Sequence, residues 1–396
     1  MGLFSSDKKG NAVALIDIGS ASVGGAYVYY VKNAQPVIYY TVRAEINVRE
    51  GESITDSMLR SLEFVQGHMT AQGAPQLRRE TGNGSVEKVL VSVAAPWQHA
   101  VVTTTPFEEN RPFTFTHAHI DTVTRASEVT EGCISLGHTV IATLLNGYQV
   151  PNPFGKRASR AEIVMLASSM ERDAADRIET SLRRAFHTSA IEMTGFSPVA
   201  YTVFRDLYPH QKDFILLDVT GKGTDVLFVK HGIMKHVATV PQGTHDLLQT
   251  ASLSWRKQHE DETTTEHRSV NVIFKHETRA IEAVWIESLR DALQGFAVSD
   301  ALPHTIFLLA DTRVRDYLKR TVETSTLSSL WLSDTPLSVI TVIPSHLSAS
   351  LKTLGLGESD LFLGILALYG GKERIKIQPV LQTTEPVVPA EPGMRF

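Results

Sequence analysis

The sequence predicts an α/β protein in which two related domains face each other across a cleft. Two acidic strand–turn–strand segments, about two hundred residues apart, support this prediction. In each, an apolar strand ends in a carboxylate, a tight turn of glycine and hydroxyl residues follows, and a second apolar strand begins. Each segment also opens a succession of three strands that leads into a helix. A duplicated pattern of mixed strands and helices is typical of the α/β class.

The two segments run from Ala14 to Val28 and from Ile215 to Val229. Backbone N–H groups and hydroxyls in such turns bind phosphate oxygens, and a carboxylate at the strand end can hold a metal ion through water. Two turns that face each other are able to grip a nucleoside triphosphate from both sides. We therefore interpret Asp17 and Asp218 as magnesium partners. The predicted phosphate contacts are Ser20, Ser22, Gly221, Gly223 and Thr224.

The bulk composition excludes several classes of protein. At 396 residues, two or three domains are expected. The formal net charge of −5 gives no support for general nucleic-acid binding. The single cysteine, Cys133, excludes an internal disulfide and a multi-cysteine zinc site. No apolar run approaches the ~18 residues of a spanning helix, and the first ten residues are not typical of a secretory signal. The expected location is the cytoplasm.

The first half of the chain alternates between strand and helix patterns. A helix is expected over 56–72, followed by a glycine-rich and polar loop over 75–85, and a second helix over 117–131. The link around Pro106 and Pro112 is expected to be irregular. The predicted strands are 12–18, 24–31, 35–47, 88–94, 98–105, 139–145 and 161–168.

The second half repeats the pattern. An amphipathic helix over 170–186 precedes three strands between residues 213 and 240. Further helices are expected over 243–252, 272–293 and 312–324, with a strand over 304–310 and a polar loop over 260–266. The segment from 378 onward is rich in proline and poor in apolar residues, which predicts disorder.

The order of these segments resembles the actin-like ATPase superfamily, whose two ribonuclease H-like domains each give a phosphate-binding hairpin to a shared cleft. Asp17, Gly19 and Ser20 match its first motif, Asp-x-Gly-(Thr/Ser). Asp218, Thr224 and Asp225 match its second. The resemblance implies ATP and Mg²⁺ as cofactors. It also places the adenine-side motif at Ala310 and Asp311. For Asp225 two roles stay open: contact with the nucleotide, or fixing the hairpin through local hydrogen bonds.

Three departures from the superfamily pattern affect the cleft. Thr220 and Lys222 stand where the second hairpin normally has glycine, and a side chain there narrows the space for the β-phosphate. Gly24 stands where many relatives have lysine, and the glycine pair after the adenine-side strand is replaced by Ala310 and Asp311.

The segment over 86–168, within the first half, resembles the inserted SHS2-type domain of FtsA, the actin homologue of bacterial cell division, and of PilM, a scaffold of type IV pili. The FtsA-like feature is the turn from Asn152 to Gly155. The expected limits are 10–85 and 169–208 for the first actin-like domain and 86–168 for the insertion. The second domain is expected over 209–372, with a subdomain near 251–300, before a tail at 373–396.

The resemblance implies a cytoplasmic, nucleotide-binding assembly adaptor in cell division, with at most slow ATP hydrolysis. A PilM-like pilus scaffold is the first alternative, and a small-molecule kinase of the same superfamily is the second. The implied partners are an FtsZ-type tail peptide or a peptide of a pilus membrane protein, together with further copies of the chain. Because the final residues carry four prolines and one basic residue, Arg395, we expect contact with the inner face of the membrane only through a partner.

Overall fold

The computed structural model describes residues 10–127, 129–247, 270–331, 335–356 and 359–376. The strands are β1 Asn11–Ile18, β2 Ser22–Tyr30, β3 Val37–Glu45, β4 Lys88–Val93, β5 Gln98–Thr114, β6 Cys133–Leu145, β7 Tyr148–Gln149, β8 Arg157–Glu171, β9 Ile191–Gly195, β10 Phe214–Val219, β11 Thr224–Lys230, β12 Ile233–Val240, β13 Thr305–Ala310, β14 Ser338–Thr341 and β15 Lys352–Leu356. The helices are α1 Ile54–His68, α2 Ala74–Thr81, α3 His117–Ala126, α4 Arg172–Phe186, α5 Phe196–Leu207, α6 Val270–Ala297, α7 Arg315–Thr324 and α8 Leu361–Lys376.

Two of the three sheets share one topology. The first has the order β15-β3-β2-β1-β4-β9 and the second β12-β11-β10-β13-β14. In both, an antiparallel meander of three strands is followed by two parallel strands, and only β15 is additional. The register places Asp17 opposite Gly24 in one meander and Asp218 opposite Asp225 in the other. The prediction of duplicated α/β domains is confirmed.

Helices cover both sheets and build a core between them. Strand β1 is buried along its length except at Asn11, as expected of a strand covered on both faces. Helices α1 and α4 bury one face of the first sheet. Helices α5 and α8 contribute to a core shared by residues of both sheets, and α6 and α7 bury the remaining face of the second sheet.

The third sheet forms the small inserted α+β unit. Its order is β5-β8-β6-β7, and α3 packs on it through a core that includes Phe115, Val123, Ile163 and Met165. The unit leaves the first sheet after β4 and returns to it at α4. Neighbouring exit and return points are the geometry of an insertion.

Several element predictions need correction. The predicted loop over 75–85 contains α2, with Pro75 in its first turn, where the missing N–H is harmless. The link predicted at Pro106 is part of β5, an edge strand that does not need every N–H. Strands β9, β14 and β15 and helix α8 were not predicted.

The expected domain limits also need correction. Strand β4 was assigned to the insertion, but it lies between β1 and β9 in the first sheet. Strand β15 pairs with β3, and α8 packs against β1 and β2, so both belong with the first sheet rather than with the second domain. Helix α8 continues to Lys376, beyond the limit expected for the tail.

Some expectations lie outside the described residues: the polar loop at 260–266, most of the helix over 243–252, the first part of the subdomain near 251–300, and the tail from 377. Within the described ranges, no helix is long and apolar enough to cross a membrane.

Candidate functional site

The two acidic hairpins meet at the cleft. Asp17 lies near the end of β1 and Asp218 near the end of β10, the first strands of their meanders. Both residues are buried, with exposed fractions of 3% and 1% for the whole residue. The carboxyl ends of such strands are where ligands bind in open α/β sheets. The structure thus brings the two predicted carboxylates close enough for the charge of Asp17 to act on Asp218, and their role as magnesium partners stays a prediction.

The turns of the two hairpins contact each other directly. The Ser20 and Thr220 hydroxyl oxygens lie 2.8 Å apart, and the backbone N–H of Lys222 donates to Ser20 Oγ at 2.8 Å. A Cβ on Gly221 would lie 2.8 Å from the backbone nitrogen of Ala21. The predicted narrowing at Thr220 thus takes the form of contact between the turns.

Other predicted phosphate contacts are also engaged within the protein. Thr224 is fully buried, and its hydroxyl donates to the Gln242 carbonyl at 2.9 Å and accepts from Trp285 Nε1 at 3.0 Å. The Gly19 N–H donates to the Ser22 carbonyl at 3.0 Å, which closes the first turn. A Cβ on Gly223 would lie 3.2 Å from that of Ala95, so this glycine provides for close packing.

Asp17 forms an ion pair with Arg43 of β3. Arg43 Nη2 lies 2.9 Å from Asp17 Oδ2, and the Ser92 hydroxyl donates to Oδ1 at 3.0 Å. Burial raises the pKa of Asp17, and the Arg43 guanidinium opposes this increase. The carboxylate predicted to hold magnesium therefore already has a positively charged partner.

Arg43 also binds Asp360, the residue before α8. Its Nε lies 2.5 Å from Asp360 Oδ2, and its Nη2 lies 3.0 Å from Oδ1. The third nitrogen, Nη1, donates to Ser22 Oγ at 2.9 Å. Burial lowers the pKa of Arg43, but Asp360 and Asp17 outweigh it, so the pKa lies above its ordinary value. Motif reasoning missed Arg43 and Asp360; the only local signal was a charged residue in the apolar strand β3.

Asp218 differs sharply from Asp17. Both of its carboxyl oxygens are buried and have no hydrogen-bond partner among the described residues. Burial raises its pKa well above the ordinary value, and the neighbouring Asp225 and Asp17 raise it further. A carboxyl group in this environment is neutral unless a cation lies beside it.

The Asp225 carboxylate accepts hydrogen bonds from three other side chains. Its Oδ2 accepts hydrogen bonds from Gln98 Nε2 at 2.6 Å and from Ser197 Oγ at 3.2 Å, and its Oδ1 accepts from Thr239 Oγ1 at 2.6 Å. The residue thus connects β11 with β5, α5 and β12. The sequence analysis expected local hydrogen bonds, whereas two of these partners, Gln98 and Ser197, are distant in the sequence, and the role of Asp225 in fixing the hairpin stays a prediction.

Ala310 and Asp311 line the same cavity as Arg43. The cavity has a volume of about 470 Å³, and Arg313 and Phe362 also line it. Asp311 accepts from Arg313 Nε at 2.9 Å, and Arg313 Nη1 reaches Glu45 of the first domain at 2.5 Å. The expected adenine-side segment therefore borders a cavity large enough for a small molecule. The carboxylate of Asp311 in this segment is paired with Arg313.

These residues do not fit a magnesium–triphosphate complex in this conformation. Asp17 is paired with Arg43, and the turn hydroxyls and N–H groups that would receive phosphate bind each other. Within the described part of the chain, no three His, Cys, Asp or Glu side chains are grouped so as to hold a metal ion. Only the unpartnered oxygens of Asp218 retain the character of a cation ligand.

No protein-family model matches the sequence, and no curated protein matches it. Among solved structures, a chain of the PilM–PilN type IV pilus biogenesis complex matches with a TM-score of 0.58 and 12% identity over 93% of this chain and 99% of that chain. A Bacteroides thetaiotaomicron protein with an actin-like ATPase fold and unknown function matches with a TM-score of 0.42 and 10% identity, covering 92% and 99% of the two chains.

Glucokinase from Balamuthia mandrillaris in complex with glucose matches with a TM-score of 0.43 and 8% identity, covering 93% and 95%. At such identities the comparisons concern the fold alone. The match to the pilus-complex chain spans nearly all of both chains, and the two sheets repeat one topology. The protein therefore has the actin-like ATPase fold.

Proposed function

We propose that this protein is an actin-like assembly adaptor that organises a protein machine at the inner face of a membrane by binding a partner's peptide. The observation that carries the proposal is the direct contact between the two hairpin turns. Phosphoryl transfer requires a positioned triphosphate, a metal ion and an oriented nucleophile. The contact between Ser20 and Thr220 occupies the position expected for the triphosphate. This favours an assembly role over a catalytic one.

Cell division is the first role that we propose, on the basis of the FtsA-like turn at Asn152. The turn lies between β7 and β8 of the inserted unit. Gly155 adopts a left-handed backbone with φ of 77°, and its N–H donates to the Phe115 carbonyl in the core of this unit. The turn is therefore held in a defined conformation by the core of the inserted unit. We expect copies of the chain to associate through the surface of this unit.

A PilM-like role in pilus assembly is the second candidate. It is favoured by the similarity to a chain of the PilM–PilN complex over 93% of this protein. Both roles share one mechanism, in which a partner protein presents a peptide and the actin-like fold recruits further components. The proposed domain limits follow the sheets: 10–97, 172–207 and 352–376 for the first domain, 98–171 for the insertion, and 208–341 for the second.

Nucleotide has no assigned place in this mechanism, because Arg43 pairs with Asp17 and the two turns contact each other. The role therefore rests on peptide binding. We further propose that the acidic side chains of such a peptide would meet the basic residues between 256 and 279, whose side chains lie outside those that the structure describes.

The decisive experiment compares two labelled peptides by fluorescence anisotropy: the C-terminal tail of FtsZ and the N-terminal cytoplasmic segment of PilN. Saturable binding of the FtsZ peptide supports the division role, and binding of the PilN peptide supports the pilus role. A scrambled version of each peptide is the control. Transfer of phosphate from ATP to a sugar or a carboxylate would contradict the adaptor and restore the kinase alternative.

Membrane attachment provides a second test. The protein alone is expected to remain in solution when anionic liposomes are sedimented, because the adaptor reaches the membrane through its partner. Liposomes that display the bound peptide on a lipid anchor should sediment it. Sedimentation with bare liposomes would show that the chain carries its own anchor.

A further inference from the structure

Arg43 lies where the superfamily resemblance places a magnesium ion, beside the carboxylate at the end of β1. Its guanidinium contacts Asp17 at 2.9 Å, Asp360 at 2.5 Å and Ser22 at 2.9 Å. All three of its nitrogens are therefore engaged. Because a guanidinium remains charged throughout the physiological pH range, it is a permanent cation at this position.

The neighbouring strand is shaped to admit this side chain. Gly24 of β2 is the cross-strand partner of Arg43. A Cβ at position 24 would lie 2.5 Å from Arg43 Nη2 and 2.8 Å from its Cζ, so any larger residue would displace the guanidinium. Gly24 is the position at which the sequence departs from the lysine of many relatives. The absence of a side chain at position 24 thus provides the space that the Arg43 guanidinium occupies.

Arg43 and its two carboxylate partners, Asp17 and Asp360, are largely shielded from solvent. The Asp17 side chain is 5% exposed, that of Asp360 is 13% exposed, and that of Arg43 is 25% exposed. Buried charges are stable only when they are paired and hydrogen-bonded. A divalent cation beside Asp17 would have to displace Arg43 or accept its repulsion at close range.

The opposite side of the site is closed in a complementary way. Thr220 supplies the hydroxyl that contacts Ser20, and it also lies 2.9 Å from the Gly223 carbonyl. Gly221 packs against the backbone of the first turn. A triphosphate would have to separate both turns. Two departures from the superfamily pattern, Gly24 and Thr220, therefore act on the two sides of one site.

We propose that Arg43 is the chain's own counter-ion for Asp17 and that it replaces the magnesium–nucleotide complex, so the two hairpins close on each other without ATP. This inference rests on the same contact between Ser20 and Thr220 as the proposed function, and it goes beyond that function because it assigns the exclusion of the magnesium–nucleotide complex to Arg43.

Calorimetric titration of the full chain with Mg²⁺-ATP and Mg²⁺-ADP tests the proposal without any substitution. The expected result is no saturable binding at millimolar nucleotide and no change in the melting temperature. Magnesium-dependent binding that is lost in Asp17→Asn would overturn the proposal. Peptide binding is measured separately, so this outcome leaves the adaptor role to its own test.

A double variant, Arg43→Met with Thr220→Gly, tests the cause. Removing both obstacles is expected to strengthen Mg²⁺-nucleotide binding at least tenfold over the limit set for the unchanged protein, and adding Asp17→Asn should abolish the gain. Arg60→Met is the matched control, because Arg60 makes a similar network with Glu52, Asn47 and Ser57, in which neither Asp17 nor a hairpin turn takes part.

The double variant is informative only if it folds, which circular dichroism and a cooperative thermal transition will show. A folded double variant that gains no nucleotide binding would overturn the assignment of Arg43 and Thr220 as the excluding residues. If it does not fold, the variant Arg43→Gln with Thr220→Gly takes its place, since glutamine keeps a hydrogen-bonding side chain but removes the positive charge beside Asp17. The titration of the unchanged protein decides the proposal in every case.

Discussion

Gly24 and Arg43 stand opposite each other in adjacent strands, and the absent side chain of one provides the space for the guanidinium of the other. The relationship connects a local feature of the first hairpin to a residue that no hairpin motif contains. Through it, Asp17 is neutralised by the protein itself. The first two residues to test are therefore the glycine and its partner.

The Gly24→Ala variant is expected to be less stable than the unchanged protein by about 1–3 kcal/mol, because the new methyl group overlaps Arg43 Nη2. Urea unfolding monitored by fluorescence measures the difference. Gly67→Ala is the control: this glycine lies in α1 with nothing within 4 Å of a Cβ, so alanine should stabilise by roughly 0.5–1 kcal/mol. Equal effects of the two substitutions would contradict the close approach at Gly24.

The sequence predicts the meanders and both hairpins because their signals are local. Strands β1 and β10 are uninterrupted apolar runs, and the turns that follow contain glycine and hydroxyl residues. The assignment of β4 failed because its parallel pairing with β1 is not local: Asp17 pairs with Ser92. The pairing of Arg43 with Asp360 joins residues 317 positions apart, and no spacing rule reveals it.

Asp218 should make stability depend on pH. Burial and neighbouring carboxylates raise its pKa in the folded state. Its contribution to the free energy of unfolding is therefore complete below the ordinary carboxyl pKa, and it is lost as the pH rises toward and through the pKa of the folded state. Asp218→Asn stays neutral. It should therefore unfold at a higher urea concentration than the unchanged protein at pH 8, by about 1–3 kcal/mol, with the difference shrinking toward pH 4.

Asp213→Asn is the control for this experiment, with the opposite sign. Burial raises the pKa of Asp213, but hydrogen bonds from the His231 N–H and from Lys230 outweigh this, so its pKa is lowered. Its contribution is present above the ordinary carboxyl pKa and is lost as the pH falls. Stabilisation by Asp213→Asn at pH 8, or a loss of stability in Asp218→Asn that is the same at every pH, would contradict these assignments.

Gln98 and Asp225 should be coupled energetically. Gln98 Nε2 donates to Asp225 Oδ2 at 2.6 Å, and this buried contact joins the root of the inserted unit to the second domain. A double-mutant cycle with Gln98→Ala and Asp225→Ala should give a coupling energy of roughly 0.5–3 kcal/mol in urea unfolding.

A cycle of Gln98→Ala with Asp213→Asn provides the reference for additivity. Asp213 bonds to Lys230 and His231 and shares no partner with Gln98, so the two effects should add within about 0.5 kcal/mol. Additivity for Gln98 and Asp225 as well would show that the contact does not hold these parts of the protein together.

The inserted unit should be removable if β4 is retained. Val102 of β5 is paired with Leu166 of β8, so a two-residue glycine link between them replaces residues 103–165 with a hairpin turn. The shortened protein should still unfold cooperatively. Its transition is expected at lower denaturant, because Ile141 and Val164 contribute to the core shared with the main sheets. Sedimentation velocity should show reduced self-association, since the inserted unit is the proposed contact surface.

A deletion of 86–168 tests the corrected limit directly. It removes β4, whose residues are all buried and which separates β1 from β9, so the first sheet cannot form. This variant should lack a cooperative transition. A folded protein after that deletion would contradict the place of β4 in the main sheet. Loss of folding in both deletions would instead show that the inserted unit and the main sheets fold only together, through the apolar contacts at Ile141 and Val164.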